Sequence, residues 1–313
     1  MPPIMPRRRD ESRDGKQQIF APRVHGGAGG CRDGAADRRR PGRTLCFRTH
    51  HRAHRGHGPG CHPDPRPELL AARLGLDRVR GARLPLPPVQ VAGFADQPAG
   101  ANKEGLVAAP VAEEIARYIA ESGLSKPAVI GHSMGGTMGM MLAARHPQAL
   151  SRLMVVDMVP YMGPLFAGPG ASAQKVESVA DGIAAGMRAA TPEQRSKRAG
   201  DTIAGMVNTE AMRAGATADS LASDPDVGVR AYRELIVTDL TPELAKITVP
   251  VTVLYVQPKS VPIPAAMFDG FYKTAYAPVK SLNLKRIEDS AHFIMWDQPQ
   301  RFQGEVKAFL GTP

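Results

Sequence analysis

The chain has 313 residues, enough for one α/β domain with an inserted subdomain, and no apolar run long enough to span a membrane. Its formal charge of +10 suggests a nucleic-acid partner until the charge is located. Of 40 Lys and Arg and 30 Asp and Glu, 19 and 8 fall at or before Gln90, which leaves 21 against 22 for the remainder, so the basicity belongs to the N-terminal segment and no nucleic-acid partner is expected for the rest.

Residues 1 to 87 are dominated by Arg, Pro, Gly, Ala and His, with almost no strand-like alternation or helical apolar stripe. They read as a basic low-order segment that contributes no strand. All three cysteines (Cys31, Cys46, Cys61) lie there without the paired spacing of a zinc site, so no metal is expected, and a disulfide would leave one cysteine over. No charged-then-apolar leader is visible, and the chain as written is expected in the cytoplasm.

From Val89 the character changes. Ala95 to Gly105 is a Gly/Pro/Asn loop, and Val107 to Ser122 places Val111, Ile115 and Ile119 at helical spacing with Glu113, Glu114 and Arg117 outward. Gly123 is its expected C-cap. Ala128 to Ile130 reads as a buried strand running into Gly131-His132-Ser133-Met134-Gly135, followed by a Met/Ala/Leu-rich helix to Arg145. His146 follows as a helix-terminal charge. Leu153 to Asp157 is the next buried strand and ends on a carboxylate. Tyr161 to Ala245 is mostly helical, with starts at Thr191-Pro192 and Thr241-Pro242, each a capping Thr before Pro. Strand (Val249 to Tyr255), helix (Phe268 to Ala275) and strand (Ser281 to Ile287) follow. The loop Glu288 to Phe293 then carries His292, and a terminal amphipathic helix runs from Pro299 to Leu310.

Strand, Gly-x-Ser-x-Gly, helix is the nucleophile-elbow pattern: the tight turn strains the serine backbone and presents Ser133 above a helix N-terminus. On these residues the chain resembles the α/β-hydrolase superfamily, in particular its lipase- and esterase-like serine hydrolases. The resemblance runs from about Val89 to Leu310 and is strongest at Gly131–Gly136 and Ala291–Pro299. It implies an α/β fold, a mostly parallel sheet with helices on both faces. The core would comprise residues 88–158 and 246–313, with a helical cap, 159–245, inserted before the seventh strand. Val89 to Phe94 is similar to the family's preceding strand and its Gly-Phe turn.

The implied chemistry is cleavage of a small-molecule carboxylic ester through an acyl-enzyme on Ser133, with no cofactor. His292 stands where the superfamily places its general base and is the only histidine after His146; the His132 side chain should point away from its neighbour Ser133. The Met134 N–H is one expected oxyanion donor, the second coming from an early loop. The family's usual acid follows the seventh strand, but Val256 to Ser260 holds no carboxylate. Asp157 is therefore the candidate acid and Asp269 the runner-up; Glu288 and Asp289 are too close to His292 along the chain. Tyr161, Met162, Leu165 and Phe166 form either an apolar roof over the acyl group or ordinary cap core. A defective or non-catalytic product, perhydrolysis and C–C hydrolysis are the alternatives. A Ser nucleophile argues against haloalkane or epoxide chemistry.

A fold of this kind needs early strands, which residues 1–87 are poorly composed to supply. One reading is that the stretch is translated out of frame. The codons of Arg55 to Glu68, read one base later, permit Glu-Gly-Thr-Gly-Pro-Asp-Val-Ile-Leu-Ile-Pro-Gly-Leu, a turn, a buried strand and a loop like the superfamily's oxyanion loop.

Overall fold

The computed structural model describes residues 44–47 and 88–311. Six strands form one parallel sheet: β1 (Thr44–Phe47), β2 (Pro88–Val89), β3 (Ala128–His132), β4 (Arg152–Val156), β5 (Val251–Tyr255) and β6 (Leu282–Arg286), in the spatial order β2-β1-β3-β4-β5-β6. The central strands are apolar on both faces, as a parallel sheet covered on both sides requires. Val129, Leu153, Val155, Val251 and Val253 point into one core cluster; Ala128, Ile130, Met154, Val156 and Leu254 alternate into the other.

β1 corrects one expectation. The first 87 residues were read as supplying no strand, yet Thr44–Phe47 lies between β2 and β3, with Cys46 opposite both Pro88 and Ile130. The slot accepts a short run of residues that suit a pleated surface, and Thr-Leu-Cys-Phe is such a run inside a stretch whose overall composition hides it. The shifted-frame segment Arg55 to Glu68 lies outside the described residues.

α1 (Ala108–Glu121) and α2 (Met134–Arg145) cover one face of the sheet; α9 (Ile294–Asp297) and α10 (Pro299–Leu310) cover the other. Between β4 and β5 the chain leaves the sheet for five helices: α3 (Gly163–Ala167), α4 (Ala173–Arg188), α5 (Pro192–Met206), α6 (Glu210–Ala222) and α7 (Pro225–Val237). α8 (Ala265–Ala275) connects β5 to β6. Thr191 caps α5 with a full capping box, its hydroxyl on the Gln194 N–H and the Gln194 side chain on the Thr191 N–H. The second expected start differs. Thr241–Lys246 is a 3-10 turn entered from Leu240, and the Thr241 N–H donates to the Asp239 carboxylate at 2.8 Å, so the acceptor comes from two residues earlier. No helix among the described residues is long and apolar enough to cross a membrane.

The helical insertion is fastened to the sheet layer by a buried carboxylate. Glu234 of α7 is 2 % exposed and accepts the N–H groups of Val107, Ala108 and Ala109 at 2.6, 2.8 and 2.9 Å. These are unpaired donors at the start of α1, where the helix dipole also favours negative charge.

Candidate active site

The site assembles at the carboxyl ends of β3, β4 and β6, the edge where open parallel sheets place their ligands. Strand register pairs His132 with Val156, and one residue beyond that pair stand Ser133 and Asp157. Both leave their strands with positive φ, 53° at Ser133 and 49° at Asp157.

Ser133 occupies the N-cap of α2 at φ 53°, ψ −123°, and its side chain makes no capping bond. A serine at an N-cap ordinarily turns its hydroxyl back onto the helix; here it makes no such bond, and the positive-φ backbone costs roughly 1–3 kcal/mol that the surroundings must offset. The turn is held by the Ser133 N–H on the Val156 carbonyl at 3.0 Å and the Gly136 N–H on the Ser133 carbonyl at 2.7 Å. Its tightness explains the flanking glycines. A Cβ on Gly131 would lie 2.1 Å from the Gly135 carbonyl oxygen, and one on Gly136 would lie 2.9 Å from Val155 Cγ1. Met134 opens α2, so its N–H belongs to the first turn, which has no intrahelical acceptor.

His292 Nδ1 lies 2.7 Å from Asp157 Oδ2, with the two side chains 20 % and 11 % exposed. A carboxylate only accepts, so Nδ1 carries a proton, and in the neutral ring that tautomer keeps the lone pair on Nε2. The other Asp157 oxygen accepts the Val256 N–H at 3.0 Å and, more weakly, the Tyr272 hydroxyl at 3.4 Å. Burial first, and then the Asp157 charge, raise Tyr272 well above the ordinary tyrosine range, so its hydroxyl remains a donor. Tyr276, raised by the same two causes, donates to the Met158 carbonyl at 2.7 Å.

The runner-up carboxylate is engaged elsewhere. Asp269 accepts the Tyr255 hydroxyl at 2.9 Å and lies 2.9 Å from Arg286 Nε. Tyr255 is pushed up to about 12, by burial and then by this bond. Glu288 also pairs with Arg286, at 3.3 Å. Asp289 sits at φ 56° in the loop before His292, and its carbonyl accepts from Gln298. His146 is at the end of α2, 2.7 Å from Glu113.

His132 has a part that its position beside Ser133 did not suggest. Its Nε2 lies 2.9 Å from the His292 carbonyl oxygen, which can only accept, and its ring centroid is 4.5 Å from that of His292 and 4.8 Å from that of Phe293. Of the four residues leading into the insertion, Tyr161 and Phe166 pack with Ala167, Val176, Ala180 and Ile236 inside the insertion itself. Met162 packs against the sheet core, and Leu165 is 58 % exposed.

Residues 90–211 match the family model described as alpha/beta hydrolase fold. A stretch of 64 residues is 33 % identical to the Yersinia enterocolitica protein named "Putative carbamate hydrolase RutD", covering 20 % of this chain and 23 % of that one. The match thus spans less than a quarter of that relative's length. Among solved structures, the enol-lactonase from Burkholderia xenovorans LB400 superposes with a TM-score of 0.64 at 15 % identity, covering 88 % of this chain and 94 % of that one. The esterase from Exiguobacterium antarcticum gives 0.63 at 15 % identity, covering 87 % and 92 %. The parallel sheet, its helical insertion and the family match over residues 90–211 agree on the fold: the chain has the alpha/beta hydrolase fold.

Proposed function

We propose that this hydrolase cleaves a carboxylic ester through an acyl-enzyme on Ser133, with His292 as general base and Asp157 as the carboxylate that orients it. The observation that carries the reading is the 2.7 Å contact between His292 Nδ1 and Asp157 Oδ2, one strand away from a serine held at positive φ whose hydroxyl makes no capping bond to its helix. A serine hydroxyl is a weak nucleophile until a base takes its proton, and a histidine protonated on Nδ1 offers Nε2 for that.

Ser133 Oγ attacks the ester carbonyl as its proton passes to His292 Nε2. The charge on the resulting imidazolium is stabilised by Asp157, and the oxyanion faces the Met134 N–H. Collapse breaks the bond to the alcohol oxygen, which leaves with the proton from His292. Water, deprotonated by the same nitrogen, then attacks the acyl carbonyl and releases the acid and Ser133. The relatives named as an esterase and an enol-lactonase act within ester chemistry, while the carbamate hydrolase adds a second carbonyl class open to the same nucleophile.

A fluorophosphonate should label the protein at Ser133, and 4-nitrophenyl acetate should be hydrolysed with a burst of nitrophenol. A 4-nitrophenyl carbamate run beside it separates the two carbonyl classes. Labelling at another residue, or an unchanged rate in Ser133→Ala, would remove the assignment.

A further inference from the structure

The segment carrying His292 is held from three sides, and one of the holding groups is a carboxylate that takes no part in the chemistry above. Asp297, at the end of α9, accepts from both sides of a junction. Its Oδ2 takes the Ala291 N–H at 2.8 Å and the Asn208 N–H at 3.1 Å; its Oδ1 takes the Thr209 N–H at 2.8 Å and the Thr209 hydroxyl at 2.9 Å. Ala291 immediately precedes His292. Asn208 and Thr209 belong to the turn between α5 and α6 in the helical insertion.

Two further bonds complete the frame. The Phe293 N–H donates to the carbonyl of Met206, the last residue of α5 before that turn, at 3.2 Å, and His132 Nε2–H donates to the His292 carbonyl at 2.9 Å. Ile203, Val207 and Ala216 of the insertion share a core cluster with Ile294, Met295 and Trp296, so the contact is apolar as well as polar. Thr209 heads α6 without capping it by its own side chain; its hydroxyl is turned to Asp297 at 2.9 Å and, more weakly, to the Trp296 carbonyl at 3.3 Å. Four donors converge on one side chain, which only an ionised carboxylate can accept in full.

We propose that Asp297 is a positioning residue: it joins the turn at residues 207–209 to the loop of His292, so that the seating of the helical insertion sets the alignment of the base. The proposal rests on reading His292 as that base. An asparagine in its place would present an NH2 group to backbone N–H donors and release one side of the junction. Small misalignments of a base are expensive, and roughly a 100-fold loss of rate accompanies a displacement of about 1 Å.

The test measures 4-nitrophenyl acetate turnover, fluorophosphonate labelling of Ser133, and hydrogen exchange of the peptides covering 206–210 and 290–294. Asp297→Asn should lower kcat by roughly 10- to 100-fold with KM within about twofold, and slow labelling by the same factor. Thr209→Val should raise exchange at 290–294, across the junction from the substitution, and lower kcat about threefold; Thr209→Ser, which keeps the hydroxyl, should restore both. Should Asp297→Asn fail to fold, the Thr209 pair decides. Unchanged kcat and labelling in the folded variants, or exchange that rises only beside the substituted residue, would overturn the proposal. If wild type is not labelled while exchange still crosses the junction, the reading of the chemistry falls and the coupling stands.

Discussion

The Ser133 elbow and the His292–Asp157 pair are built in opposite ways. Ser133 is presented by consecutive residues: a strand, two glycines with no room for a Cβ, and a helix N-terminus. His292 and Asp157 are 135 positions apart and meet because β4, β5 and β6 are neighbours in the sheet, after which the insertion and α9 hold the loop in place. The difference teaches that one half of this site is made by local backbone sterics, whereas the other depends on sheet order and on contacts made by an insertion far away in the chain.

The largest expected effect falls on the local half. Ser133→Ala should lower kcat by about 10⁶ with the fold intact, as loss of a serine nucleophile does in the best-measured case; circular dichroism and titration with a phosphonate would check both clauses. On the long-range half, Asp157→Asn should cost about 10⁴ in kcat by favouring the wrong tautomer of His292. Asp269→Asn should cost little, because Asp269 is held by Tyr255 and Arg286. A reversed order of the two would break the comparison at its centre.

The next effect concerns the early strands. The loop that would carry the second oxyanion donor lies outside the described residues. If the gene upstream of Val89 reads one base later as a Val-Ile-Leu-Ile-Pro-Gly-Leu strand and loop, a protein expressed from that frame should be faster by about 10²–10³, the worth of one oxyanion donor. It should also place this strand, rather than Thr44–Phe47, between β2 and β3. Stop codons in that frame would end the proposal. The smallest effect is on the fastening of the insertion: Glu234→Ala leaves three N–H groups of α1 without their acceptor and should lower the unfolding free energy by about 2–4 kcal/mol. Chemical denaturation would measure it, and a change below about 0.5 kcal/mol would show that water satisfies those groups.

The sequence by itself determined the elements whose cause is local. Gly131-His132-Ser133-Met134-Gly135 dictates its own turn, the apolar spacing of Val111, Ile115 and Ile119 dictates α1, and Thr191-Pro192 with Gln194 dictates the start of α5. The helical character of residues between β4 and β5 was legible for the same reason. Only the tertiary structure decided which carboxylate meets His292, since Asp157 and Asp269 both follow strands and their difference lies in what else each one touches. It likewise turned Tyr161 and Phe166 into the interior of the insertion, drew Thr44–Phe47 into the sheet, and brought Asp297 and Glu234 to backbone donors up to 127 positions away. A hydrogen bond between distant segments leaves no periodicity and no spacing in the chain, because its partners are chosen by the packing of sheet and helices rather than by neighbouring residues.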